Sequence, residues 1–327
     1  MPARDSRPSL HVAARDIPVP ASVSPEAQAV LAIGRVEFAG YPSQGDLDGW
    51  RAAIASRDQA VLAMIGPRAE KIAADVEELR ADGVPVYAIT PQGVRADDRR
   101  VFLEIHGGAL IMGGGACCRA MGLTAVTRTG VRTFAVDYRM PPDHPFPTPL
   151  DDCVAVYRFL LRDHRPGEII VGGASAGGNL AAALILRARD EGLPLPAAAV
   201  LLTPELDLTE SGDSFQTNHG IDTVLSESLM PANRLYAGGH DLSHPYLSPL
   251  FGDFSKGFPP TLLAAGTRDL FLSNTVRMHR ALRAADVPAE LHIVEAAPHG
   301  GFFGSAPEDR ELEREVRRFV DAHWMAR

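Results

Sequence analysis

Eight short β-like runs alternate with helical patterns along most of this chain, and that alternation restricts its fold more than any other feature. The runs are KIAADVEEL, VPVYAI, VFLEIH, RTFAVDY, EIIVGGA, AAAVLLT, TLLAAG and ELHIVE. Helical patterns lie between the later ones, at 149–163, 176–190 and 273–285, and another follows at 309–324. Strands joined by crossover helices build a mostly parallel sheet covered on both faces, so the expected class is α/β. A chain of 327 residues can bury a full core around such a sheet.

Two stretches break the rhythm. Residues 1–24 are rich in Pro, Arg and Asp and lack periodicity, which reads as a loose arm. From Pro25 to about Glu70 the pattern is helical, with Trp50, Ile54, Val61 and Ile65 recurring on one face. Between AAAVLLT and TLLAAG lie nearly 60 residues, too many for a simple connection in a compact sheet. That interval is expected to be an insertion capping one edge of the sheet together with the N-terminal helices. The division expected is an arm and cap helices at 1–68, a core at 69–204 and 246–327, and a cap insertion at 205–245.

EIIVGGASAGGNLAAALIL runs from strand through a glycine cluster into a helix closed by Gly192. Gly173-Ala174-Ser175-Ala176-Gly177 therefore meets both halves of the G-x-S-x-G test, the letters and the strand–turn–helix context. Small residues also serve tight strand–helix packing, so the letters alone leave a structural reading open. Phosphate binding fails, because no Gly-Lys-Ser/Thr follows and the G-x-G-x-x-G spacing is absent. A serine nucleophile needs a base, and the base an orienting acid, in the order Ser, Asp/Glu, His on loops past strand ends. Of the 11 histidines, His299 alone stands after the last strand and before the final helix. Asp269, three residues past TLLAAG, is the expected acid. Asp207 in PELDLT is the alternative, with an Asx turn or helix cap as its structural reading. Gly107 and Gly108, right after VFLEIH, allow backbone N–H groups to converge on a developing oxyanion, with the Ala176 N–H opposite. His106 reads as a structural hydrogen bonder rather than a second base.

Composition excludes several classes. The net charge is −9 with Lys and Arg scattered, so no basic face for nucleic acid is expected. No window approaches a membrane span, and MPARDSRPSLHVAARDIPVPAS contains no apolar run of a secretory signal, so none is expected. The three cysteines, Cys117, Cys118 and Cys153, have neither disulfide nor zinc spacing. A reducing, cytoplasmic location is the expectation.

With these residues assembled, residues 70–325 resemble the α/β-hydrolase fold, specifically the hormone-sensitive-lipase-like bacterial carboxylesterases. The resemblance rests on HGG at 106–108, DYRMPPDHPFPTPLDD at 137–152, GASAGGNLA at 173–181, YLSPL at 246–250, GTRDL at 266–270 and PHGGF at 298–302. It implies an eight-stranded, mostly parallel sheet flanked by helices, with a helical cap. It also implies Ser175 as nucleophile, His299 as base, Asp269 as orienting acid, and Gly107, Gly108 and Ala176 as oxyanion hole. The substrate implied is a small-molecule ester of small to medium acyl chain. GTRDLFLSNTVRMHRAL keeps a lactone in view, and an amide is the other alternative. No metal or organic cofactor is implied, and a homodimer is the assembly the resemblance suggests. A binding-only member of the fold is expected to have lost a triad residue, and none is lost here.

Ala109 replaces a frequent third glycine, and Ala174 a common aspartate, in the family pattern. Glu104 is an unusual charge inside a strand and must reach solvent or a partner. Asp143 and His144 read as braces in a proline-stiffened loop, and Cys117 and Cys118 as small apolar groups lining the pocket.

Overall fold

Each aliphatic run becomes a strand. They are β1 (Ala74–Ala81), β2 (Val84–Pro91), β3 (Val101–Ile105), β4 (Arg132–Val136), β5 (Ile169–Ala174), β6 (Ala198–Leu202), β7 (Thr261–Gly266) and β8 (Ala289–Val294). In the computed structural model, which describes residues 10–35 and 40–324, they form one sheet in the order β1-β2-β4-β3-β5-β6-β7-β8. β2 is antiparallel to both of its neighbours, and every other pair is parallel. β1 and β2 are closed by the two-residue turn Asp82-Gly83, whose φ values of 51° and 91° suit a tight hairpin. Their register starts at Ala74↔Pro91, so β1 begins three residues later than the KIAADVEEL run suggests.

The helices are α1 (Pro25–Ala32), α2 (Leu47–Ala69), α3 (Ala116–Thr129), α4 (Thr148–Asp163), α5 (Ala176–Asp190), α6 (Ser214–Thr217), α7 (Met230–Ala237), α8 (Leu272–Ala284) and α9 (Pro307–His323). Side chains alternate across the sheet, as period-two strands must. Leu103, Ile105, Val171, Leu201 and Leu263 pack against Leu160, Leu184 and Leu282 of α4, α5 and α8. Phe102, Ile170, Val200 and Leu262 pack on the other face against Ala125 of α3 and Val316 and Phe319 of α9.

The single helical pattern expected from Pro25 to Glu70 is instead two helices. Gly34, at φ 80°, follows the end of α1, and α2 restarts at Asp46, whose carboxylate accepts the Gly49 N–H at 2.9 Å. Residues 36–39 of that pattern, residues 1–9 of the arm and residues 325–327 lie outside the described residues. From 10 to 24 the chain is mostly exposed and has no helix or strand. Ala27 and Leu31 of α1 pack on Ala296, Phe302 and Ala306, bracing the segment that carries His299. Trp50 of α2 meets Ala232 and Leu235 of α7 and Ile111 in the loop after β3. α2 and α7 of the long insertion therefore converge at the loop after β3, while α1 packs on the segment after β8.

Candidate active site

β5 ends at Ala174 and α5 begins at Ala176, so Ser175 carries the whole turn, at φ 58° and ψ −123°. A non-glycine residue in the left-handed region is strained, and here the strain is held by close packing. A Cβ on Gly173 or Gly177 would collide with the Ile105 carbonyl, which explains the glycines two residues either side. The Ser175 N–H donates to Leu202 O at 2.9 Å, fixing the elbow to β6.

Ser175 Oγ lies 2.9 Å from His299 Nε2, and His299 Nδ1 lies 3.1 Å from Asp269 Oδ1. With Nδ1 donating to the carboxylate, Nε2 is left to accept the serine proton. Asp269 is fully buried, and its Oδ1 also accepts the Phe271 N–H at 2.9 Å. The Phe271 ring meets the imidazole edge-on, with centroids 4.9 Å apart. Burial alone disfavours the imidazolium. The charge and hydrogen bond of Asp269, with the Asp222 charge, outweigh it and move the His299 pKa above its ordinary value.

Gly107, expected to contribute to an oxyanion hole, packs against the same turn. A Cβ on Gly107 would lie 2.8 Å from Ala174 O and 3.4 Å from Ser175 Cβ, so glycine lets β3's continuation touch the elbow. Gly108 sits at φ 126°, and Ala109 follows at 51°. Ala176 opens α5, where a first-turn N–H has no partner within its own helix. Gly107, Gly108 and Ala109, with Ser175 and His299, line a cavity of about 470 Å³, while Ala176 is fully buried and does not line it. Ala174 lines it too, at the position where an aspartate is common.

His106 matches its structural reading. Its Nδ1 donates to Gly107 O at 2.8 Å, its ring stacks on Tyr138 with centroids 4.0 Å apart, and burial pushes its pKa down to about 4. His106, Cys118 and Asp137 place ligand-type atoms within 4.8 Å of one another, the one such group among the described residues. Burial holds the Cys118 thiol well above its ordinary range.

Asp207 is not brought to His299. It accepts from Thr209 N at 3.0 Å, an Asx turn, and pairs with Arg277 at 2.7 Å. Cys117 and Cys118 do not line the cavity, contrary to expectation. α3 turns them away, Cys117 towards Asp58 O, while Met121, Thr124 and Arg128 of α3 face the cavity. Asp143 pairs with Arg51 of α2 at 2.6 Å and is a brace.

Three insertion residues escape sequence reasoning. Asp222 accepts the N–H of His299 at 3.3 Å and of Leu270 at 2.8 Å. Asn218 donates to the Asp269 carbonyl at 2.8 Å. Glu205 donates its N–H to Ser175 O at 3.2 Å, and its buried carboxyl is pushed up to about 8. None belongs to a local motif; only tertiary contact reveals them.

A family model described as the α/β hydrolase fold matches residues 102–303. Over 211 residues the chain is 35% identical to an acetyl-hydrolase of Streptomyces hygroscopicus, covering 63% of this chain and 70% of that one. Among solved structures it is similar to esterase E25, with a TM-score of 0.88 and 35% identity, covering 97% of this chain and 99% of that one. An esterase described as from the bacterial hormone-sensitive lipase family superposes with a TM-score of 0.77 at 31% identity, covering 92% and 99%. With the elbow, the sheet order and these likenesses together, the chain belongs to the α/β-hydrolase fold family, among its hormone-sensitive-lipase-like carboxylesterases.

Proposed function

We propose that this protein hydrolyses carboxylic esters of small to medium acyl chain by acyl transfer through Ser175, His299 and Asp269. The observation that carries this is the Ser175 Oγ–His299–Asp269 chain of 2.9 and 3.1 Å opening on the 470 Å³ cavity. His299 Nε2 takes the serine proton as Oγ bonds to the ester carbonyl carbon. The oxyanion accepts N–H groups of Gly107, Gly108 and Ala176. As the C–O bond to the leaving alcohol breaks, His299 returns the proton to it. Water, deprotonated by the same imidazole, then cleaves the acyl-enzyme and restores Ser175.

Within this reading the core is 69–204 and 246–327, and the segments 1–68 and 205–245 form the cap. Tyr41, Met64, Val224 and Leu229, contributed by these segments, supply cavity wall. β8 pairs with β7 alone, and its free edge is the surface for the homodimer that completes the proposal. Among the described residues no helix is long and apolar enough to cross a membrane, and all three cysteines are free and buried. The cytoplasm is the compartment we propose.

Ser175→Ala tests the assignment. It should abolish turnover of p-nitrophenyl butyrate and labelling by a serine-directed phosphonate, with the melting temperature retained. Undiminished turnover would overturn it.

A further inference from the structure

Glu104 is the charge that the strand pattern left unexplained. It points to the α3/α9 face of the sheet with Phe102 and is 2% exposed. There it lines the same cavity as Ser175. One carboxyl oxygen lies 3.5 Å from Arg128 on the last turn of α3, and the other, Oε2, has no partner among the described residues. Arg128 lines the cavity as well. A buried carboxyl oxygen without a partner is costly to keep, and burial pushes this carboxyl up to about 7. A strand interior facing α3 would pack well with an apolar residue, so the polar pair is not explained by packing.

The surrounding walls are apolar and follow helix faces. Val61, Met64 and Ile65 come from one side of α2, and Met121 and Thr124 from the side of α3 that carries Arg128. Glu104 pairs with Gly172 in register, three residues before Ser175 on β5. At a rise of about 3.3 Å per residue, the pair lies roughly 10 Å from the nucleophile along the strand. The leaving oxygen must lie towards His299, which the loop after β8 brings to Ser175 from the β6–β8 side of β5. β3 and α3 lie on the opposite side of β5, so this arm takes the acyl chain.

We propose that the Glu104–Arg128 pair is an acyl-end subsite, selecting esters whose medium-length acyl chain ends in a hydroxyl. The inference rests on the ester-hydrolase reading above. An acceptor oxygen beside a guanidinium donor suits a neutral group that both donates and accepts. A terminal carboxylate would meet Glu104, and a terminal ammonium would meet Arg128. The chain between carbonyl and hydroxyl lies on the methionine- and isoleucine-lined walls.

The test compares p-nitrophenyl hexanoate, octanoate and decanoate with their ω-hydroxy and ω-carboxy counterparts, measuring kcat/KM. A wholly apolar arm would disfavour the hydroxyl, which would be buried without a partner. The Glu104–Arg128 pair should reverse that sign, favouring the ω-hydroxy ester by roughly tenfold over its methyl-terminated match at one of the three lengths. Glu104→Leu and Arg128→Met should each restore preference for the methyl-terminated chain. Should Glu104→Leu not fold, Glu104→Gln and Arg128→Met report the same within-variant ratio. A wild-type preference for methyl-terminated chains at every length, or for the ω-carboxy ester, would overturn the proposal, as would a ratio unchanged in the variants. Failure of the ester reading is a separate result: the wild type would then turn over none of these esters, nor p-nitrophenyl acetate.

Discussion

Asp222 ties His299 to Leu270, the residue after Asp269, by accepting both backbone N–H groups, at 3.3 and 2.8 Å. One carboxylate from the insertion thus sets the separation of the two loops that carry His299 and Asp269. It also accepts from Val224 N at 2.9 Å, which links those loops to the cavity wall. Asp222→Ala strands these buried donors and lets the imidazole drift from Asp269. A displacement of about 1 Å at a reacting group costs on the order of a hundredfold, so kcat for p-nitrophenyl butyrate should fall by that amount. Asp222→Asn keeps one acceptor oxygen and should lose less. Wild-type kcat in a folded Asp222→Ala protein would contradict the assignment.

The same carboxylate should be visible in the pH profile. In the proposed reaction His299 must be unprotonated at Nε2, so kcat/KM should fall as pH drops through its pKa. Burial pulls that pKa down, but the charge and hydrogen bond of Asp269 and the charge of Asp222 outweigh it. The acid limb should therefore have its midpoint above the ordinary 6.5. Asp222→Asn should move it to lower pH, a shift that a purely structural role would not produce. By linkage, a raised folded-state pKa gives stability that is full below about 6.5 and is lost as pH rises through the folded value. Thermal melts of wild type and His299→Gln between pH 5 and 9 check that sign.

Much of this was legible because it is local. Short continuous apolar runs give β3, β5, β6 and β7, buried on both faces, and Gly173 and Gly177 flank a turn whose geometry needs them. The order Ser175, Asp269, His299 follows from loops at the ends of β5, β7 and β8. What escaped is tertiary. Asp222, Asn218 and Glu205 reach the site from irregular backbone, where no periodicity says which way a side chain points. The phase of α3 also escaped, because it is buried on most sides and carries little amphipathic signal. Cys117 and Cys118 were therefore assigned to the cavity, when Met121, Thr124 and Arg128 line it. The break between α1 and α2 was obscured by apolar spacing that continues across Gly34.

Asp269 and Asp207 follow adjacent strands, and their variants should separate activity from stability. Asp269→Asn removes the acceptor that fixes the His299 tautomer, and kcat should fall roughly ten-thousandfold. Asp207 is fully buried, with Arg277 at 2.7 Å and the Ser211 hydroxyl at 2.6 Å. Burial raises its pKa, but hydrogen bonds from Ser211, Thr209 and Arg277 outweigh this and hold it below the ordinary carboxylate value. Asp207→Asn should leave kcat within a few-fold while costing about 2 kcal/mol of stability, the scale of a hydrogen bond to a charged group. That loss should disappear in acid, since a depressed carboxyl stabilises only above its unfolded pKa. A large kcat loss in Asp207→Asn with activity kept in Asp269→Asn would reassign the acid.

Glu205 offers the opposite linkage. Its backbone is anchored, with Asn179 Nδ2 donating to its carbonyl at 2.7 Å, while its carboxyl is fully buried. Asn233 lies beside that carboxyl without closing a well-formed hydrogen bond. Burial, with the nearby Glu210 charge, pushes the folded-state pKa from 4.5 to about 8. The folded protein therefore holds a proton that the unfolded chain has released, and stability declines as pH rises between those values. The slope for one such group is about 1.4 kcal/mol per pH unit, flattening above about 8. Glu205→Gln cannot ionise and should lack this decline. Near pH 4.5 the two proteins should melt at similar temperatures, and the variant should gain on the wild type with each unit up to about 8. Parallel melting curves for the two proteins would show that Glu205 ionises normally in the fold.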